Sequence, residues 1–71
     1  MKYTFVQSSS LDAVGYDKAT STLGARFKDG GEYEYDGVPE SVFAGILSAP
    51  SAGRFFDQHV KKAGYRYRQV R

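Results

Sequence analysis

RFKDGGEYEYDGVP, residues 26–39, is the stretch that decides the fold of this chain, because it holds a strand end, a reversal, a second strand and a helix start. The reversal is Asp29–Gly31, whose glycines accept the positive φ that tight turns require. On both sides of it, charged residues alternate with apolar or aromatic ones. A β-hairpin with one aromatic face and one charged face is therefore predicted here.

The length of the turn determines which side chains of the hairpin face one another. A two-residue turn would place Phe27 against Glu32 and Arg26 against Tyr33. A three-residue turn keeps the aromatic residues together, and a one-residue slip would move every side chain to the other face. We therefore predict the three-residue turn. It pairs Phe27 with Tyr33, Ala25 with Tyr35, Lys28 with Glu32 and Arg26 with Glu34.

One further strand is predicted before the hairpin, which brings the number of strands to three. Residues 11–16 and 20–28 read as strands of an antiparallel meander that continues through residues 32–36. Residues 3–6 form either a short edge strand or a frayed end. Gly15 marks a bulge or a place where another segment approaches closely. One face of this meander is apolar and requires a cover.

Two helices after the hairpin are predicted to supply that cover. Pro39 is expected at the first position of the first helix, which ends at Pro50. Ser51 is a good N-cap for the second helix, and Gly64 fits its C-terminal end. The apolar stripes are Val42, Phe43, Ile46 and Leu47 in the first helix, and Phe55, Phe56, Val60 and Ala63 in the second.

The predicted class is α+β, in one domain over residues 1–71. An antiparallel three-stranded β-meander is covered by two short α-helices, and residues 65–70 add a short C-terminal strand. A core this small supplies little net stability, so the oligomeric state is left open.

The composition argues against several classes of protein. Without cysteine there is no disulfide framework and no thiolate metal site. The apolar run at the N-terminus is too short for a signal peptide or a membrane span. His59 is the only histidine, the serines at 8–10 have no nucleophile context, and the carboxylates are scattered. We expect a cytoplasmic, non-enzymatic protein with no membrane association, no metal and no cofactor.

Charge is unevenly distributed along the chain. The formal net charge is +2, but residues 1–51 carry −3 and residues 52–71 carry +5. A basic segment of this kind is a candidate surface for a polyanion, and the alternative is an ordinary solvated surface. The candidate phosphate-binding residues are Arg54, Lys61, Lys62, Arg66, Arg68 and Arg71.

Two smaller groups of residues each allow a functional and a structural interpretation. The start of the second helix, with Ser51, Gly53 and Arg54, is either an anion site or an ordinary N-cap. Tyr33 and Tyr35, on one strand face, resemble the stacking aromatics of sheet-based RNA binders, but the hairpin register favours core packing beneath the helices. Tyr65 and Tyr67, in the C-terminal strand, are expected in the core as well.

The order of elements resembles the KTSC domain family, over about residues 8–68. The carrying residues are Ser9, Val14-Gly15-Tyr16-Asp17, Leu23, Phe27, Gly30, Tyr33-Glu34-Tyr35, Val38-Pro39, Ala49, Ser51, Gly53, Phe55, Phe56, Tyr65 and Tyr67. The family is named for the C-terminus of some lysyl-tRNA synthetases and also occurs as stand-alone bacterial and phage proteins. This chain has Ala52 where the family pattern often has lysine. Placement on a synthetase implies RNA binding, by association only.

Three functions follow as hypotheses. The first is RNA or other nucleic-acid binding through the basic C-terminal face. The second is a protein-interaction domain that docks on a larger partner. The third and weakest is a small anionic or nucleotide-like ligand at the start of the second helix.

Overall fold

The computed structural model describes residues 1–71 as one antiparallel sheet with two helices packed on one side. The strands lie side by side in chain order, and a short 3-10 turn follows the second helix. The elements are β1 (Tyr3–Phe5), β2 (Leu11–Asp17), β3 (Thr22–Phe27), β4 (Glu32–Tyr35), α1 (Glu40–Ser48), α2 (Ala52–His59), the 3-10 turn (Lys61–Ala63) and β5 (Tyr67–Gln69).

The sheet therefore has five strands, two more than the predicted three-stranded meander. β1 pairs with β2 through Tyr3 opposite Gly15, and β5 pairs with β4 through Tyr67 opposite Tyr35. Both added strands are three residues long. A strand was predicted at residues 65–70, and an edge strand was one of two alternatives at residues 3–6, but their pairing into the same sheet depends on main-chain partners that no local pattern gives.

The β3–β4 hairpin has the predicted faces but not the predicted pairs. Its loop is Lys28–Gly30, closed by the Phe27 N–H donating to the Gly31 carbonyl at 2.8 Å. Asp29 Oδ1 accepts from the Gly31 N–H at 2.9 Å, which draws the turn one residue toward the N-terminus. The turn keeps its three residues, and Gly30 has φ +100°.

All four predicted cross-strand pairs are wrong by two positions. Because side chains alternate with period two, the even shift leaves every residue on its predicted face. The observed pairs are Leu23–Tyr35, Gly24–Glu34, Ala25–Tyr33 and Arg26–Glu32.

Gly15 is a place of close approach, as one of its two predicted roles required. A Cβ atom there would lie 2.6 Å from the carbonyl oxygen of Lys2, which leads into β1. The irregularity in β2 lies elsewhere, between Leu11 and Ala13.

The helices begin close to their predicted positions. Pro39 has φ −63° and ψ 146° and is the N-cap of α1, not its first helical residue. Ser51 caps α2 as predicted, its hydroxyl accepting from the Arg54 N–H at 3.3 Å. α2 ends at His59, because Val60 leaves the helical region with φ −120° and ψ −60°. Gly64, at φ 84°, instead ends the 3-10 turn.

The core lies between the helices and one sheet face and is centred on Phe56. Its ring meets Phe27 at 5.7 Å and Tyr35 at 5.5 Å between centroids, edge to face in both cases. Leu47 and Ala63 were expected in this core, but both are exposed, because each lies near the C-terminal end of its element. The buried cluster comprises Leu11, Val14, Leu23, Ala25, Tyr35, Val38, Ile46, Ala52, Phe56 and Val60. None of the helices is long and apolar enough to cross a membrane.

Candidate functional site: a tyrosine-lined cleft

An open cleft of roughly 470 Å³ lies where the end of α2 and the 3-10 turn meet β3, β4 and β5. Its volume falls within the range of small-molecule and nucleotide sites, about 300–1,000 Å³. Four of the chain's six tyrosines line it. The lining residues are Phe27, Asp29, Tyr33, Tyr35, Val60, Lys61, Gly64, Tyr65 and Tyr67.

The tyrosines form a continuous aromatic surface that grades from buried to exposed. Tyr35 is buried at the floor, as predicted, while Tyr33 and Tyr65 are half-buried. The Tyr67 ring lies 5.5 Å from that of Tyr35 and 6.1 Å from that of Tyr33. Tyr67 is 61% exposed, so the prediction that it belongs to the core was wrong. It stands on β5, at the edge of the sheet, where no further strand covers it.

The phenol groups of the cleft are open to a ligand. Only Tyr3 and Tyr16, which lie outside the cleft, have hydroxyls bonded to another protein group. Burial raises the pKa of Tyr35 to about 12, with smaller contributions from neighbouring Tyr33 and Tyr67. Tyr35 is therefore neutral across the physiological range and remains a hydrogen-bond donor.

Two charged side chains of opposite sign border the cleft. Lys61 has its Nζ 5.2 Å from the centroid of the Phe27 ring, within the range of a cation–π contact. The same Nζ lies 3.8 Å from Asp57 Oδ1 in a half-exposed pair that is easily exchanged for a ligand. Asp29, at the hairpin tip, is the second charged residue.

The structure does not gather the predicted basic residues onto one face. Arg68 lies on the opposite side of the sheet from the tyrosines, where its guanidinium meets Glu34 at 2.6 Å and Asp36 at 3.1 Å. Hydrogen bonds and charge from Asp36, then from Glu34, raise the pKa of Arg68 further above its usual range. Arg54 lies at the start of α2. Lys62, Arg66 and Arg71 are exposed, and of the six candidates only Lys61 borders the cleft.

The start of α2 forms a separate, wholly polar depression. Ser51, Gly53 and Arg54 line it together with the serines that precede β2. Ser8 Oγ stands 2.6 Å from where a Cβ on Gly53 would be, and it accepts from the N–H groups of Ser10 and Leu11. Hydrogen bonds to neighbouring main-chain N–H groups thus explain why Ser8 and Ser51 lie here, and no ligand is needed to explain their positions. No group of three or more His, Cys, Asp or Glu side chains is placed to hold a metal ion.

Several residues of the cleft escaped the sequence analysis. Asp29 was read only as a turn residue, and Phe27 and Val60 only as core. The available signal was the pairing of two Tyr-x-Tyr segments, 33–35 and 65–67, on the same face. That pairing becomes visible only when β5 is known to lie beside β4.

The fold and the cleft together define a small two-layer α+β domain with an aromatic concavity at one sheet edge. The model of the KTSC domain family matches residues 7–67, and this chain belongs to that family. The crystal structure of a KTSC domain protein from Yersinia pestis superposes with a TM-score of 0.89 at 37% identity, covering 99% of this chain and 97% of that one.

Two relatives differ in how much of their length this chain covers. An uncharacterized protein of Stutzerimonas stutzeri strain A1501 is 41% identical over 70 residues, which is 99% of each chain. A lysine–tRNA ligase of Nostoc punctiforme is 36% identical over 55 residues, or 78% of this chain but only 10% of the ligase.

Proposed function

We propose that this chain is a non-enzymatic module that binds single-stranded RNA at the tyrosine-lined cleft. The observation that carries the proposal is Tyr67, a ring 61% exposed at the mouth of an aromatic cleft. Single-stranded nucleic acids bind proteins by stacking bases on such rings, at about 1–3 kcal/mol per base. The similarity of one segment of a lysine–tRNA ligase to this chain supports the same class of partner.

The exposed cations near the cleft supply the second half of the site. Lys61 borders the tyrosines, and Lys62 follows it directly in the 3-10 turn. A strand that crosses the 3-10 turn brings its phosphates to Lys62 and its bases to the cleft that Lys61 borders. Binding then weakens with salt as counterions return to the phosphates.

The test is fluorescence anisotropy of a labelled single-stranded RNA and a labelled RNA hairpin at about 50 and about 200 mM salt. Loss of one stacked base in Tyr67→Ala is expected to weaken binding roughly tenfold, and Lys62→Ala, which removes an exposed cation of the 3-10 turn, to reduce the salt slope. Arg68→Ala is the matched control, because Arg68 is a C-terminal arginine of the same strand whose guanidinium is held on the other face. Affinity that survives Tyr67→Ala, or that falls only in Arg68→Ala, would refute the cleft as the site.

A protein partner is the second candidate, and a separate surface supports it. Between β1 and the α1–α2 connection lies a groove without a charged side chain, at whose rim Leu47 is 43% exposed. Phe5, which also lines it, is 76% exposed. Charge depletion and exposed aromatics are typical of interface cores. Affinity capture from a lysate tests this candidate when wild type is compared with Phe5→Ser. A stoichiometric partner lost in the variant supports the groove, and capture that is equal in both argues against it.

The anion-binding alternative at Ser51, Gly53 and Arg54 has less support. Ser51 is engaged as an N-cap, and Ser8 occupies the space over Gly53. A thermal-shift screen of nucleotides tests it, since a bound ligand raises the melting temperature by mass action.

A further inference from the structure

The tyrosine-lined cleft contains two charged groups whose hydrogen-bonding capacities are opposite. The carboxylate of Asp29 only accepts hydrogen bonds, and the ammonium of Lys61 only donates them. No ion pair joins the two, since the partner of Lys61 is Asp57. A ligand in the cleft therefore meets an acceptor at one charged group and a donor at the other.

The Asp29 carboxylate is held in place by the turn that it belongs to. Its Oδ1 accepts from the Gly31 N–H at 2.9 Å, while Oδ2 has no hydrogen-bond or ion-pair partner in the protein. An anchored carboxylate without a cation repels phosphate. The part of an RNA that approaches Asp29 is consequently a hydrogen-bond donor, which is either a ribose 2′-OH or a donor of a base, and the phosphates lie elsewhere.

Among the four bases, guanine presents the edge that fits this pair of groups. Its N1–H and N2–H donors are adjacent, so that a carboxylate can accept from both, and its O6 and N7 atoms accept from an ammonium. Adenine and cytosine each offer one amino group beside a ring acceptor. Uracil places its single N–H between two carbonyl oxygens. Against a carboxylate, those flanking acceptors are repulsive.

We propose that the cleft selects guanine, with Asp29 accepting from the N1–H and N2–H edge, Lys61 donating to O6 or N7, and the tyrosines stacking on the ring. For guanine as part of an RNA, this inference rests on the proposed function. A free guanine nucleotide presents the same hydrogen-bonding edge. The experiment must therefore distinguish an RNA from a mononucleotide.

The experiment compares short labelled oligouridylates of one length that contain a single guanosine, inosine, adenosine or no purine, measured by anisotropy with the full chain. Guanosine is expected to bind about five- to a hundredfold more tightly than adenosine, the range of one well-formed bidentate contact. Inosine lacks only the N2 amino group and should lie between them. Unlabelled guanosine monophosphate is titrated in parallel as a competitor.

The diagnostic variant is Asp29→Asn. Asparagine retains the side-chain oxygen that accepts from Gly31, so the turn is preserved, but it replaces the paired acceptor with one acceptor and one donor. The guanosine preference should fall below about twofold. Asp17→Asn is the matched control, because Asp17 Oδ1 accepts from the Ala19 N–H at 3.0 Å in a turn outside the cleft. This control removes the same charge and should leave the preference unchanged.

The outcomes separate the inference from the proposed function. A guanosine preference lost in Asp29→Asn and kept in Asp17→Asn establishes both. RNA binding with equal affinity for guanosine and adenosine overturns the guanine inference and leaves RNA binding standing. Asp29-dependent binding of guanosine monophosphate without RNA binding supports the guanine site and overturns the RNA proposal. No binding of either ligand refutes both.

Discussion

The two faces of the β4–β5 pair are built from the same alternating strands and yet have opposite chemistry. On one face, Arg68 of β5 is held by Glu34 and Asp36. On the other face, Tyr33, Tyr35 and Tyr67 stand beside one another, and their hydroxyls have no protein partner. On the charged face, Arg68 is paired with two carboxylates of the protein. On the aromatic face, the tyrosine hydroxyls and the exposed ring of Tyr67 have no protein partner. Of the two faces, the aromatic one is therefore the candidate for binding.

The same contrast continues toward the other edge of the sheet. On the charged side, Gly15 and Gly24 lie opposite each other, and Tyr3 and Met1 pack over them. The Tyr3 ring carries the Arg26 guanidinium 3.9 Å above its centroid, and Arg26 Nε reaches Glu32 Oε1 at 3.1 Å. Burial raises the pKa of Tyr3, and the nearby Glu32 carboxylate adds to the shift. This side is covered by the N-terminal segment and the opposite side by helices.

The largest expected effect comes from removing the support beneath the aromatic face. Phe56→Ala should lower the free energy of unfolding by about 3–5 kcal/mol, because it leaves a cavity under Phe27 and Tyr35. Urea unfolding followed by circular dichroism measures this loss. Phe56→Leu, which retains most of the volume, should cost much less. Similar losses of unfolding free energy in the two variants would contradict the explanation that the loss comes from a cavity beneath Phe27 and Tyr35.

The next largest effect on stability is expected where the N-terminal segment packs over the charged face at Gly15. Gly15→Ala should cost about 1–3 kcal/mol of unfolding free energy, because its Cβ would lie 2.6 Å from the Lys2 carbonyl oxygen and displace β1. In a chain that lacks residues 1–5 the same substitution should become neutral or mildly stabilising, since alanine loses less entropy than glycine on folding. A penalty that persists in the shortened chain would contradict the close-approach explanation.

A smaller effect is the pH dependence of stability that arises from Tyr35, at the floor of the cleft. The pKa of Tyr35 is about 12 in the folded protein and about 10 in an unfolded chain. Its contribution is thus complete below pH 10, and it is lost as pH rises from about 10 to about 12, because the unfolded chain releases the proton first. We expect a loss of about 1–2 kcal/mol, reduced by water in the open cleft. Tyr35→Phe should lose correspondingly less stability over this range; parallel pH profiles for the two proteins would refute the assignment.

The smallest effect is expected on the charged face. Arg68→Ala should leave the urea midpoint nearly unchanged, because exposed ion pairs contribute little and are screened by salt. Measurements at low and high salt check this, and Arg68→Lys serves as the variant that keeps the charge. A large destabilisation that is insensitive to salt would mean that the pairs align β5, and the contrast between the two faces would then be structural as well as chemical.

Local chemistry allowed much of the fold to be predicted. The glycine turn, the three-residue loop and the Ser51 cap depend on residues within a few positions of one another, and the alternation of β3 and β4 determined their faces. The register was missed by two residues because the Asp29 side chain, not the glycine pair, positions the turn. An even shift changes partners but not faces, so the face prediction survived the error.

The candidate site depended on longer-range pairing. Tyr67 and Tyr35 are distant in sequence and become neighbours only through the β4–β5 ladder. The separation of Arg68 from Lys61 also arises there. Tyr67 faces the cleft that Lys61 borders, and the adjacent residue Arg68 therefore points to the opposite face of the sheet. Sequence by itself determined the glycine turn, the Ser51 cap and the alternation of the strands. The tertiary structure decided which tyrosines meet, which charges are neutralised and where the cleft opens, because these depend on main-chain hydrogen bonds between segments that no local pattern relates.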